Sequence, residues 1–348
     1  MSLKTKEKSL IINHPEDKFE TLLFLPPTES RKGEGGLRTK GYFKHNYKLN
    51  PEDNLWYICD TAGDLVKPAP EEIQREIVDF IASMKSSEPE MANISDITEL
   101  PLITVITVVL NGEKYLEQTI QSVINQTYPN VEYIIIDGGS TDGTLDIIKK
   151  HEDQIDYWVS EKDKGIYDAM NKGVKVALGS WIGFLGSGDI YSSHGLLDYY
   201  ELMCEINIKS ELYDYLSSKV ELIKDDKIIR IVGQKWSWEV FKKYMNVAHV
   251  GSLHSIKLFK KYGLFDISFK IAGDYEFLLR PKNTLRANFI DKITAIMDIE
   301  GISSREMKVF NETELAKVRH TGKNGFKIKI EKYIGIIKWK IRRKLLSY

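Results

Sequence analysis

The 348-residue chain carries a formal net charge of −1, with 42% apolar and 28% charged residues, a balance that fits a globular protein with a sizeable core and gives no nucleic-acid signature. Its two cysteines, Cys59 and Cys204, lie far apart, which argues against a disulfide framework or a cysteine metal site and for a reducing cytoplasm. The opening MSLKTKEKSL lacks an apolar signal core, and no apolar run reaches the roughly 18 residues of a spanning helix, so a soluble or peripheral protein is expected, of one large α/β domain plus additions or of two domains.

Residues 1–100 read as an extension of mixed character. Leu22–Pro27 is a short apolar segment ended by prolines. Ser30–Lys44 holds four glycines and five basic residues and reads as an irregular loop. Its exposed N–H groups, with Arg38 and Lys40, are candidates for binding phosphates; a solvated surface loop is the competing reading. Asn54–Asp60 suits a strand. Pro70–Met84 predicts an amphipathic helix: Pro70 stands at the first position, Glu71 and Glu72 follow at the positive end of the dipole, and Ile73, Ile77, Phe80 and Ile81 share a face. The polar Lys85–Glu99 reads as a linker.

From Pro101 to Tyr191 the pattern sharpens. Three β-branched apolar runs, Leu102–Leu110, Val131–Ile136 and Ser180–Leu185, each end in a polar, Gly-rich turn: Asn111-Gly112-Glu113, Asp137–Thr144 and Gly186-Ser187-Gly188-Asp189. Helices are predicted over Lys114–Gln126, Thr144–His151 and Tyr167–Leu178. Buried strands alternating with helices imply right-handed βαβ units and an open, mostly parallel sheet, with ligand chemistry at the carboxyl ends of its strands. Later segments are less regular. Gly195–Ile206 suits a helix, Tyr213–Val220 and Lys227–Val232 strands, and Ser255–Tyr262, Asp274–Arg280 and Asn311–His320 helices.

A dinucleotide fold fails on spacing, because the first strand ends in Asn111-Gly112-Glu113 rather than in a Gly-x-Gly-x-x-Gly turn. The acidic turn at Asp137 suits a base or ribose better than a phosphate, and it also suits a simple helix cap. Asp189 ends the third strand beside glycines, where a carboxylate can hold a hard cation or merely complete a turn. His249 and His254 are candidates for a metal ligand or a phosphate contact, against the ordinary structural histidine. His249 is the better placed, just before Val250-Gly251-Ser252.

Taken in order, LITVITVVLNGEKYLEQTIQSVINQTYPNVEYIIIDGGSTDGT, SEKDKGIYDAMNKGVKVALGSWIGFLGSGD and FDISFKIAGDYEFLLR resemble glycosyltransferase family 2, the inverting nucleotide-sugar transferases, over about Pro101–Ser304. The resemblance implies an α/β, GT-A-like nucleotide-diphospho-sugar transferase fold. It implies nucleoside contacts at Thr107, Val109, Glu113 and Asp137, a Mn²⁺ or Mg²⁺ ligand at Asp189, and a general base at Asp274. Gly165–Gly173 (GIYDAMNKG) resembles members that build bacterial surface polysaccharides such as O-antigen or capsule. The implied substrates are a UDP-sugar donor and a lipid-linked saccharide acceptor, with hexose or N-acetylhexosamine transferred. The metal turn departs from the family pattern, since only its last acid remains. Asp163 is a candidate to supply part of the missing contact, and Lys172 and Arg280 are candidates for diphosphate charge. The reduced turn also motivates a second reading, a non-catalytic nucleotide-sugar or glycan binder.

The chemistry asks for the same parts. Breaking a sugar–diphosphate bond needs charge stabilisation on the leaving group, and attack by an acceptor hydroxyl needs a base in reach. Finally, 323–348 carries nine Lys or Arg against one Glu, with Ile330, Ile334, Ile337, Ile341 and Leu345 on one helical face and Phe326 and Trp339 near it. That pattern suits a helix lying on the inner face of an anionic membrane; packing on the catalytic domain or on a second subunit is the alternative. The expected divisions are 1–100, 101–304 and 305–348.

Overall fold

The computed structural model describes residues 3–87, 97–208, 212–225, 227–298 and 307–345. Most of the expected linker Lys85–Glu99, and the expected boundary after Ser304, lie outside the described residues. The first hundred residues supply β1 (Gly33–Gly35), β2 (Tyr47–Asn50), β3 (Leu55–Cys59), β4 (Leu65–Pro68), α1 (Glu71–Ser87) and β5 (Glu99–Leu100). The alternating unit follows: β6 (Ile103–Val109), α2 (Leu116–Ile124), β7 (Val131–Asp137), α3 (Thr144–Lys150), β8 (Tyr157–Ser160), α4 (Ile166–Val176) and β9 (Trp181–Gly186). Beyond it come β10 (Ile190–Tyr191), α5 (Gly195–Ile208), β11 (Tyr215–Lys224), β12 (Lys227–Val232) and α6 (Trp238–Phe241). The chain continues through β13 (Leu253–Ser255), α7 (Ile256–Tyr262), α8 (Gly273–Leu279), β14 (Ala287–Asp298), α9 (Lys308–His320) and α10 (Gly325–Leu345).

The central sheet runs β1-β8-β7-β6-β9-β13-β11-β14-β10, with β12 hung on β11. Strands β8, β7, β6 and β9 are mutually parallel. The chain steps outward from β6 to β7 to β8, then returns to β9 on the other side of β6. That reversal opens a crevice at the carboxyl ends of β6 and β9, where open α/β sheets bind ligands. Both faces of the sheet are covered, as an uninterrupted apolar strand requires. Ile103, Val105 and Val109 join a core with α1, α2 and α5, and Ile106 and Val108 join one with α4, α7 and α8.

Eight of the described strands, β1, β2, β4, β5, β8, β10, β13 and β14, escape the sequence reading. β8 is four residues long, too short for its period to show, and β14 spans twelve residues that mix Asn, Asp, Lys and Thr with apolar ones.

The N-terminal extension is built into the same body. A small sheet, β4-β3-β2-β5, is covered by α1, whose Phe80 packs on Tyr128 and Tyr200 of the central unit. The basic Gly-rich segment is not the irregular loop expected: β1 pairs antiparallel with β8, Gly33 opposite Ser160 and Gly35 opposite Trp158. Beyond it, Arg38 is 2% exposed and bonds Glu132 at 2.5 Å, while Lys44 bonds Asp156 at 2.9 Å. Glu132 also accepts from Thr104 Oγ1 at 2.6 Å and from the Leu178 N–H at 2.9 Å. These cations satisfy carboxylates that the sheet would otherwise bury unpaired.

Candidate active site

The Asn111-Gly112-Glu113 turn after β6 is laced to the turn after β7. The Asn111 N–H donates to Ser140 Oγ at 2.7 Å, the Gly112 N–H to Thr144 Oγ1 at 2.8 Å and the Glu113 N–H to Asp142 Oδ2 at 3.1 Å. The polar residues Ser140, Asp142 and Thr144 therefore organise the mouth of the crevice as well as the start of α3. Glu113 stays exposed there and accepts the Gly143 N–H at 3.1 Å.

Asp189 sits in the turn after β9. Gly188 takes φ +106, a conformation that costs a side-chain-bearing residue strain, and its N–H donates to Thr119 Oγ1 at 2.9 Å. The same hydroxyl donates to the Asp189 carbonyl at 2.9 Å. Thr119 is a fully buried residue of α2, so the first crossover helix fixes the acidic turn. Its signal in the sequence was a lone hydroxyl in an apolar stripe, between Leu116 and Ile120. Burial pushes the Asp189 carboxyl up to about 7, a contact from the Gly186 backbone opposes the shift, and the charge of Asp298 adds to it. No lysine or arginine pairs with Asp189 among the described residues, and no three His, Cys, Asp or Glu residues gather there into a metal cage. A desolvated carboxylate beside a second one fits a divalent cation, provided most of its other ligands arrive with a bound diphosphate.

Asp274 opens α8 and lies partly exposed. The Tyr167 hydroxyl stands 2.8 Å from the Ile271 carbonyl and 3.1 Å from Asp274 Oδ1. Tyr167 belongs to the first turn of α4, at the carboxyl side of β8, so Asp274 is held at the crevice end of the sheet. Burial, and then the charge of Asp274, push the Tyr167 phenol far up, which keeps it a proton donor. The loop before Asp274 is clamped from below: Glu312 of α9 accepts the N–H groups of Lys270, Ile271 and Ala272 at 3.0, 2.8 and 2.8 Å. Tyr167 and Glu312 were not singled out from sequence, because each acts on a residue about forty to a hundred positions away. α9 packs against the same body as α4 and α8, with Ala316 in their shared core.

Several expected site residues lie elsewhere. Arg38 is spent on Glu132, and Lys40 pairs with Glu152 at 3.0 Å and with Asp153 at 2.5 Å on the far edge of the sheet; neither is placed to hold a phosphate. Arg280 bonds Glu276 at 2.6 Å and the carbonyls of Tyr262 and Leu264, a packing role. Burial works to raise the Glu276 carboxyl, but His320 and Arg280 overrule it and hold it low. Thr107 is fully buried with its hydroxyl 3.1 Å from that of Tyr133, and Val109 is in the core at the end of β6. Asp137 is 0% exposed. It accepts from the Ser140 N–H and hydroxyl and from Ser160 Oγ, and its carboxylate is consumed in building the turn. Lys172 bonds Glu161 at 2.8 Å and the Lys162 carbonyl at 2.9 Å. His249 stacks on Phe184, ring centres 5.4 Å apart. Burial pushes its imidazole down and the charge of Asp274 opposes that. His254 is fully buried beside it. Asp163 remains at the mouth of the crevice, partly exposed.

The family model for glycosyl transferase family 2 matches residues 104–252. An uncharacterized glycosyltransferase of Mycobacterium tuberculosis is 32% identical over 209 residues, 60% of this chain and 79% of that protein. A PGL/p-HBAD biosynthesis glycosyltransferase of Mycobacterium bovis is 28% identical over 189 residues, 52% of this chain and 69% of that protein. Among solved structures, S. aureus TarS (residues 1–349) in complex with UDP-GlcNAc matches with TM-score 0.52 and 18% identity, over 66% of this chain and 70% of that one. The mannosyltransferase PcManGT from Pyrobaculum calidifontis, in complex with GDP-Man and Mn²⁺, matches with TM-score 0.50 and 16% identity, over 74% and 76%.

Proposed function

The chain belongs to glycosyltransferase family 2, and from that premise we propose that it transfers a sugar, with inversion, from a UDP-sugar to a hydroxyl of a lipid-linked saccharide in surface-polysaccharide synthesis. The observation that carries the reading is the separate support of two carboxylates at one end of the sheet. Asp189 is fixed by Thr119 of α2, and Asp274 by Tyr167 of α4 and Glu312 of α9. Asp274 is the base: it takes the proton of the attacking hydroxyl, with the Tyr167 donor orienting its carboxylate. Asp189, with the donor's diphosphate oxygens, would hold Mn²⁺ or Mg²⁺, which supplies charge stabilisation for the leaving group. The turns after β6 and β7 hold the nucleoside between Glu113 and Asp163. Lys172 supports this wall by neutralising Glu161.

The C-terminal helix supports placing the enzyme on an inner-membrane surface. In α10, Ile328 is buried and Glu331 pairs with Lys317 and Lys323, which docks one face on α9. Ile330, Ile334, Ile337 and Ile341 remain 44–57% exposed on the other side, among the lysines. Trp339 packs toward Phe310 and is not part of that stripe. No helix among the described residues is long and apolar enough to cross a membrane, so this helix would lie in the headgroup layer.

Release of nucleoside diphosphate from UDP- and GDP-sugars, with a lipid-linked acceptor and with or without Mn²⁺, tests the reading. Acceptor-dependent UDP release stimulated by the metal is expected. Nucleotide binding with no turnover on any donor would favour the non-catalytic binder that the single acid of the turn suggests.

A further inference from the structure

The carboxyl end of β7 has a side-chain position that another loop fills. Gly138 follows Asp137, and its φ is not among the left-handed glycine angles, so the backbone does not demand glycine there. Space does. A Cβ on Gly138 would lie 2.3 Å from Asp163 Oδ2 and 3.2 Å from its Cγ. Asp163 comes from the loop between β8 and α4. Its Oδ1 accepts the Gly165 N–H at 2.7 Å, which leaves Oδ2 over the end of β7. Leu110 Cδ1 is 3.5 Å from the same Cβ position, and Leu110 is 61% exposed at the mouth of the crevice. An exposed apolar side chain beside an acceptor-only oxygen can take the face and the edge of a nucleobase together.

We propose that Asp163 Oδ2 reads the donor's base by accepting the N3–H of uracil, in the place a side chain at position 138 would otherwise occupy. This rests on the nucleotide-sugar reading above. A carboxylate accepts and does not donate. Uracil presents a single N–H between two carbonyls on its pairing edge. Cytosine presents a lone pair at N3 and is rejected. Guanine presents two adjacent donors, which suit a carboxylate with both oxygens open, whereas Oδ1 is already committed to Gly165.

Calorimetric titration of the full chain with UDP, CDP and GDP, each with Mn²⁺, tests this. UDP should bind about 10- to 100-fold tighter than CDP, the scale of one hydrogen bond to a charged group. In Asp163→Asn the Gly165 N–H retains the amide oxygen and turns the NH₂ toward the base. The UDP-to-CDP preference should then fall by roughly 10-fold or more and approach inversion. Asp163→Ala should lose the preference, and Gly138→Asp combined with Asp163→Ala should restore it, because the vacated space accepts the new side chain. Equal weakening of UDP and CDP in Asp163→Asn, or no recovery in the double variant, overturns the proposal while leaving nucleotide binding standing. A wild-type chain that binds no nucleoside diphosphate overturns the donor reading and this proposal with it.

Discussion

Replacing Asp189 by asparagine should make the metal-free protein more stable, and only above mildly acidic pH. Burial moves this carboxyl from an ordinary 3.8 to about 7. Three pK units correspond to about 4 kcal/mol of differential interaction between the two protonation states. Between pH 3.8 and about 7 the folded chain keeps a proton that the unfolded chain has released, so metal-free stability falls as pH rises through that window. The amide of the Asp189→Asn variant cannot ionise and escapes the loss. Urea unfolding in EDTA should therefore show the two proteins nearly equal at about pH 4 and the variant ahead by up to about 4 kcal/mol at about pH 8. Adding UDP and Mn²⁺ at the higher pH should restore the wild type and do little for Asp189→Asn, because the cation is what offsets the buried charge. Parallel stability curves across the whole pH range would refute the argument that Asp189 is a desolvated carboxylate waiting for a cation.

Asp274→Asn should lower turnover by roughly 100-fold or more with donor binding kept, measured as nucleoside-diphosphate release; near-normal turnover removes Asp274 from the mechanism. Arg38→Ala should cost about 3–5 kcal/mol in urea unfolding, because it strands Glu132 in the sheet. Lys40→Ala, at an exposed pair, should cost less than about 1 kcal/mol, and neither should change the apparent Michaelis constant for donor. The full chain should sediment with anionic but not neutral vesicles, each cation contributing on the order of 1 kcal/mol at most. Ile334→Asp with Ile337→Asp, both on the exposed side of α10, should abolish that sedimentation. Unchanged sedimentation would assign the stripe to another partner.

The sequence by itself determined the architecture around the crevice. Local information suffices there: short β-branched runs such as ITVITVV and VEYIIID, bounded by polar Gly-rich turns, read as buried strands, and each is followed by an amphipathic helix. The order of those units implies the parallel sheet and the carboxyl-end site, and the acids at 189 and 274 stand out by type and position. Tertiary structure alone decided which charged groups are available. Asp137 looked like a ligand and is consumed by Ser140 and Ser160. Arg38 looked like a phosphate contact and neutralises Glu132, and Arg280 is spent on Glu276. Thr119, Tyr167 and Glu312 looked like nothing and hold the two carboxylates in place. The reason is that a charge in a fold is assigned by the partners brought against it from distant parts of the chain. Periodicity records which face of an element is buried but carries no information about which opposite charge, hydroxyl or backbone N–H will meet it there.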